Sequence, residues 1–146
     1  MLLVLACSAQ DAFGTWKMNP ARSTFIGDPH PRAITVRIEP HAKGQTFTFD
    51  RIRSNGQATT FSIILYMDGK DRDFHGAACS GSQSSRRLNE KTVELILKCE
   101  SGQSSHFVRR IVPDHPSDLI LDITEELPDG RHLERHLVLE KQAPEK

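Results

Sequence analysis

The residues of this sequence that could do chemistry are few and dispersed. His132-Leu133-Glu134-Arg135-His136 sets two histidines around a glutamate. On a helix, two histidines four apart can grip one zinc ion, but the metalloprotease order is H-E-x-x-H, not H-x-E-x-H. On a strand the two imidazoles share a face yet lie about 13 Å apart, too far to hold one ion together. The pattern reads as the solvated face of a strand. His75 and His106, each alone in its segment, read as surface or hydrogen-bonded residues. Serines cluster at 80–85 and 101–105 without a G-x-S-x-G elbow to expose a nucleophile. No glycine-rich loop to cradle a phosphate is present either. The sequence thus offers no catalytic set, no metal site and no cofactor motif, and a non-enzymatic role is expected; an enzyme of the barrel mouth is the weakest of the alternatives.

The basic residues point the same way. Arg51 and Arg53, Arg86 and Arg87, and Arg109 and Arg110 are scattered pairs interleaved with acids, the pattern of a solvated sheet surface and not of a nucleic-acid track. Over 146 residues, 19 Lys and Arg balance 19 Asp and Glu, so the formal charge is zero. The clustered positive surface that drives nucleic-acid binding is missing. With 37% apolar and 26% charged residues the composition is globular, neither disordered nor membrane-spanning. The length suits one domain with a single core.

Residues 1–9, MLLVLACSA, form an apolar run followed by small residues, similar to the central and cleavage regions of a secretory signal but without a basic start. The run is too short for a transmembrane helix, which needs about 20 apolar residues. The expectation is a leader over residues 1–10 and one mature domain over 11–146, secreted or periplasmic. Val4-Leu5-Ala6-Cys7 is also similar to a bacterial lipobox, which would make Cys7 a lipid anchor on an envelope protein; an apolar strand buried in the fold is the other alternative. Once Cys7 is removed or anchored, Cys79 and Cys99 remain as an even pair in an oxidising compartment.

The elements that must position these residues show no sustained helical stripe. Period-two alternation recurs instead, broken by turn residues about every ten positions, the signal of an antiparallel meander. The pattern predicts strands over residues 13–18, 33–39, 45–53, 58–67, 70–75, 82–88, 92–99, 103–112, 119–126 and 131–141. Ile34, Val36 and Ile38 share one face, as do Phe47 and Phe49, and Val93, Leu95, Leu97 and Cys99. Asn55-Gly56 accepts the positive φ of a tight hairpin. The passage holding Pro20, Pro29 and Pro31 cannot be a central strand. There is no repeat and no linker. The fold class expected is all-β, an antiparallel up-and-down β-barrel of about eight to ten strands closed so that no edge is exposed; a two-sheet sandwich is the alternative. In the hairpin over 82–99, a three-residue turn would set Cys79 opposite Cys99, and a two-residue turn would set them diagonally. Either register allows a disulfide.

Gly14-Thr15-Trp16-Lys17-Met18-Asn19-Pro20-Ala21-Arg22-Ser23-Thr24-Phe25 resembles the opening of a family of uncharacterised bacterial secreted lipocalin-like proteins of the calycin type. Tyr66-Met67-Asp68-Gly69-Lys70-Asp71 and Glu140-Lys141-Gln142 resemble that family's internal turn and its end, so the likeness spans the mature chain. It implies a barrel and export, and lends no activity. In calycins a basic side chain of the last strand covers the tryptophan of the G-x-W. Arg135, in the row Leu133, Arg135, Leu137, Leu139, is the residue this implies over Trp16, in a structural role. The same opening echoes avidin-type proteins, but biotin sites need several further tryptophans and Trp16 is the one present. Nitrobindin-like haem barrels add a glycine-rich stretch that is missing here.

A small apolar ligand in the interior or mouth is the expected function. The candidate lining residues are Phe47 and Phe49, then Phe61, Ile63 and Leu65, then Leu95 and Leu97, then Leu119, Leu121 and Ile123. The alternative is a cell-envelope interaction module whose barrel is filled by those same side chains. The interior volume separates the two, an apolar cavity above about 300 Å³ favouring the carrier.

Overall fold

The structure, a computed structural model, describes residues 12–144. The leader expected over residues 1–10 and the anchor expected at Cys7 lie outside the described residues. Alternating apolar and polar positions settle into eleven antiparallel strands: β1 Gly14–Met18, β2 Thr24–Ile26, β3 Ala33–His41, β4 Gly44–Ile52, β5 Ala58–Leu65, β6 Arg72–His75, β7 Ser80–Asn89, β8 Thr92–Cys99, β9 Ser104–Val112, β10 His115–Glu126 and β11 His132–Lys141. They form one sheet in the order β5-β4-β3-β1-β11-β10-β9-β8-β7-β6, with β2 also on β11. This is the expected up-and-down architecture, and its inward face carries the core, including Trp16, Val36, Ile38, Leu121, Leu137 and Leu139.

The strand beyond the expected number lies in the proline-rich passage. β11 is long, and two short strands share one of its edges: β1 pairs with Leu139 to Lys141, and β2 with Glu134 to His136. Pro20 has no N–H to give, so the chain cannot continue the ladder between them. It makes a 3-10 turn over Pro20–Arg22, started by the Asn19 side chain, which accepts from the Ala21 N–H at 3.0 Å. Ser23, buried, then repairs the gap. Its hydroxyl donates to the Asn19 carbonyl at 2.8 Å and accepts from the Val138 N–H at 3.0 Å.

This division corrects the contact expected between Arg135 and Trp16. Trp16 pairs with Lys141, and Arg135 pairs with Phe25 of β2. At about 3.3 Å per residue, positions 135 and 141 lie roughly 20 Å apart along β11. Lys141 takes the covering role, its Nζ 5.6 Å from the Trp16 ring centroid, while the indole N–H donates to the Ala12 carbonyl at 2.8 Å.

The ladder had been expected to close so that no edge is exposed, and it does not close by strand pairing. β5 and β6, its two ends, do not pair with each other. Met67 and Gly69 adopt positive φ of 65° and 74°, turning the chain so that Asp68 bridges Arg86 and the Gly69 N–H donates to the Ser85 carbonyl at 2.7 Å. With only 4 residues, β6 is too short to complete the circuit.

Cys79 and Cys99 are joined by a disulfide with their Cα atoms 5.2 Å apart. Its register is the diagonal one. Asn89 faces Thr92 and a bulge follows, so Cys99 lies opposite Gly81. Gly81 permits this approach, since a Cβ there would sit 1.9 Å from the Lys98 carbonyl oxygen. The bridge closes a loop of sequence separation 20, for which the chain-entropy argument gives about 3 kcal/mol. Urea unfolding of the Cys79→Ser, Cys99→Ser double variant against the oxidised protein is expected to show a loss of that order.

Candidate functional site

The interior divides into a packed end and an open end. At the packed end, Phe47, Leu65, Val93, Leu95 and Leu121 leave a space of only about 10 Å³. Arg109, 4% exposed, lies among them and donates to the Gln45 side-chain oxygen. Phe107 borders both this space and a larger chamber beyond it, of about 220 Å³. The chamber is walled by Phe49, Phe61, Leu97 and Ile123, with the Cys79–Cys99 bridge on one side. Phe61 and Phe107 lie parallel, centroids 6.3 Å apart, and Phe47 meets Phe107 edge-on at 6.2 Å. The chamber leads into a polar vestibule of about 620 Å³. Arg51, Arg53, Gln103, Glu125 and Arg135 line both and mark their junction.

Strand parity builds this gradient. Along β4 the inward row runs Phe47, Phe49, Arg51; along β10 it runs Leu119, Leu121, Ile123, Glu125. The two rows change from apolar to polar toward the same end of the barrel. Gly27 brings the chain over that end. A Cβ there would lie 2.8 Å from the His132 carbonyl oxygen, and its φ is +78°, so glycine fits where other residues are strained.

Asp28 follows, and reaches Arg135. The Arg135 side chain is 6% exposed; its Nε donates to Asp28 Oδ2 at 2.8 Å and its Nη1 to Glu125 Oε1 at 2.8 Å. Gln103 donates to the other Glu125 oxygen at 3.3 Å. Burial works against the Arg135 charge, but Glu125 and Asp28 outweigh it and hold its pKa above the ordinary value. Arg51 is placed differently. Its Nε is buried with no hydrogen-bond partner among the described residues. Burial, then the charges of Arg135 and Arg53, lower its pKa, against weaker support from Asp28 and Glu125. Arginine nonetheless stays protonated near neutral pH.

The ten residues expected to line a ligand therefore part company. Phe49, Phe61, Leu97 and Ile123 wall the chamber. Phe47, Leu65, Leu95 and Leu121 belong to the packed end. Ile63 and Leu119 are buried core that borders neither space. Sequence reasoning missed Arg51, Gln103, Phe107 and Arg109. Arg51 and Arg109 were expected on a solvated face and face inward instead, whereas Arg53, Arg86, Arg87 and Arg110 are exposed. The signal was available: Arg51 has the parity of Phe47 and Phe49, and Arg109 that of Ile111.

The H-x-E-x-H segment lies on β11. His132 sits between Glu126 and Glu134, at 3.0 Å from the latter, and His136 bonds Asp122 at 2.5 Å. No group of three metal-ligating side chains occurs among the described residues.

No family model matches the sequence, and no curated protein matches it. Solved structures do match in fold. A Schistosoma mansoni fatty acid binding protein in complex with arachidonic acid aligns with a TM-score of 0.55 at 10% identity, over 93% of this chain and 99% of its own. As-p18, an extracellular fatty acid binding protein, aligns with a TM-score of 0.53 at 11% identity, over 91% of this chain and 97% of its own. At these identities the likeness establishes a calycin-type, lipocalin-like barrel fold.

Two outcomes test the electrostatics. Arg135→Met leaves Asp28 and Glu125 as unpaired carboxylates in a half-buried site, and a loss of about 3 kcal/mol is expected in chemical denaturation. His132 is held above its ordinary pKa by Glu134 and then Glu126. Its stabilising contribution is therefore present below the unfolded value of about 6.5 and lost as pH rises through the folded value. An NMR titration is expected to place His132 above 6.5, and Glu134→Gln to bring it down.

Proposed function

We propose that the protein is an exported, non-enzymatic member of the bacterial lipocalin-like group that binds a small apolar ligand in the mouth half of its barrel. The observation that carries this reading is the chamber of about 220 Å³ between Phe49, Phe61, Leu97 and Ile123, open to a vestibule and floored by Phe107. Packed interiors rarely keep such a space between aromatic and aliphatic walls. The chamber falls short of the apolar cavity of about 300 Å³ expected of a carrier, and it is not a filled barrel either, so the reading is restricted to a slim ligand or to the apolar part of one. Fatty acid binding proteins on the same fold support the reading. Export is supported by the apolar start of the sequence and by the Cys79–Cys99 bridge, since such bridges persist in oxidising compartments.

The packed end is what an envelope interaction module would have throughout its interior. The open end is what that alternative leaves unexplained. Among the described residues the large apolar side chains that are exposed, Ile26, Ile52 and Leu88, belong to separate strands, and single exposed apolar residues are ordinary.

A thermal-shift panel of medium-chain acids, alcohols and esters tests the proposal. At 100 times Kd a ligand that binds only the folded state adds about 2.7 kcal/mol. A saturable rise in Tm is expected for at least one compound, and Thr59→Trp, which fills the chamber rim from β5, is expected to remove it. A panel that stabilises nothing counts against ligand binding.

A further inference from the structure

Arg51 is costly where it stands. A buried donor left unpaired loses hydrogen bonds to water and regains none. The two carboxylates at the junction, Asp28 and Glu125, are already engaged by Arg135. Arg53, exposed just past the end of β4, lines the rim, makes no ion pair among the described residues and adds a second positive charge there. Arg131 also lines the vestibule, and it is paired with Asp129 at 2.7 Å. The junction thus holds one neutralised cation, Arg135, and two that are not neutralised, with an apolar chamber immediately inside them.

A neutral apolar ligand would bury Arg51 further and leave its Nε–H unsatisfied. An acidic group would satisfy it, since the planar guanidinium fork matches a carboxylate or phosphate oxygen pair. We infer that the ligand is an anionic amphiphile whose acidic head sits on Arg51, with Arg53 at the rim, and whose apolar chain runs inward between Phe49, Phe61 and Phe107. This rests on the binding reading above and adds to it the charge, polarity and direction of the ligand. The head lies toward solvent because the arginines lie at the junction, and the chain end is stopped by Phe107, beyond which only about 10 Å³ remains.

Isothermal titration calorimetry with decanoate, 1-decanol and acetate separates the outcomes. Decanoate is expected to bind the oxidised protein at least tenfold more tightly than decanol. Acetate is expected to give no heat at concentrations where decanoate saturates. In Arg51→Gln, decanoate is expected to lose its preference over decanol, and an unchanged thermal unfolding transition of the ligand-free variant serves as the control for folding. Equal binding of decanoate and decanol to the unaltered protein overturns the inference and leaves the binding reading standing. Acetate binding as tightly as decanoate assigns the arginines to a small free anion and overturns the amphiphile. A decanoate preference that survives Arg51→Gln places the head elsewhere and overturns the assignment. If neither lipid binds, the binding reading falls and this inference with it.

Discussion

Arg135 is the constraint on which the mouth depends. It interrupts a row of leucines on the last strand, facing an interior where a lone guanidinium would be prohibitively expensive. Two carboxylates from different parts of the chain make it tolerable. Glu125 comes from the neighbouring strand, and Asp28 from the segment after β2. Because the charge must be met, residues 27–31 are drawn over the barrel end, and Gly27 is the residue whose missing side chain lets them come that close. Buried ion pairs add little net stability over apolar packing, but they do fix geometry. Here the geometry fixed is a polar collar around an apolar space.

The same logic explains why one end of the barrel is full and the other is not. At the packed end the inward rows are Phe47 and Leu65, Leu95, and Leu119 and Leu121, large side chains that interdigitate across the barrel. Arg109 enters that end and donates to the Gln45 side-chain oxygen there. Toward the mouth the rows shrink or turn polar, through Thr59, Ser105 and Gln103, and cannot fill the width between them. The disulfide sits on this thinner wall, where there are fewer large side chains to hold β7 against β8.

Most of the strand framework was legible because period-two alternation is a direct consequence of pleating. The segments over 33–39, 92–99 and 119–126 read clearly because one face of each is apolar and one polar. β2 was not legible. It is 3 residues long, follows a proline, and exists because Ser23 and the free edge of β11 hold it, which are long-range facts. The choice of Lys141 over Arg135 above Trp16 was hidden for the same reason, since it follows from where β1 stops. The candidate site was half legible. Apolar parity found the chamber walls at Phe49, Phe61, Leu97 and Ile123, but it equally selected the packed residues Phe47 and Leu121, because parity gives the face and not the depth.

Charged residues were read by composition when parity should have governed them. In a rolled sheet every second residue faces the interior, whatever its type, and an arginine in the inward register must be accommodated there. Arg51, Arg109 and Arg135 all carry that register, and the protein handles each in its own way: Arg109 with a neutral amide partner, Arg135 between two carboxylates, and Arg51 with its Nε unmatched at the edge of the chamber. Arg135 is matched within the fold by its two carboxylates, and Arg109 is engaged inside the packed end, away from any open space. Folding alone gives no reason to keep the third, because glutamine or threonine at position 51 would occupy the rim at lower desolvation cost. What sets Arg51 apart is that its unmatched Nε stands at the edge of an open chamber, where the chain's polar chemistry can be directed at something other than itself.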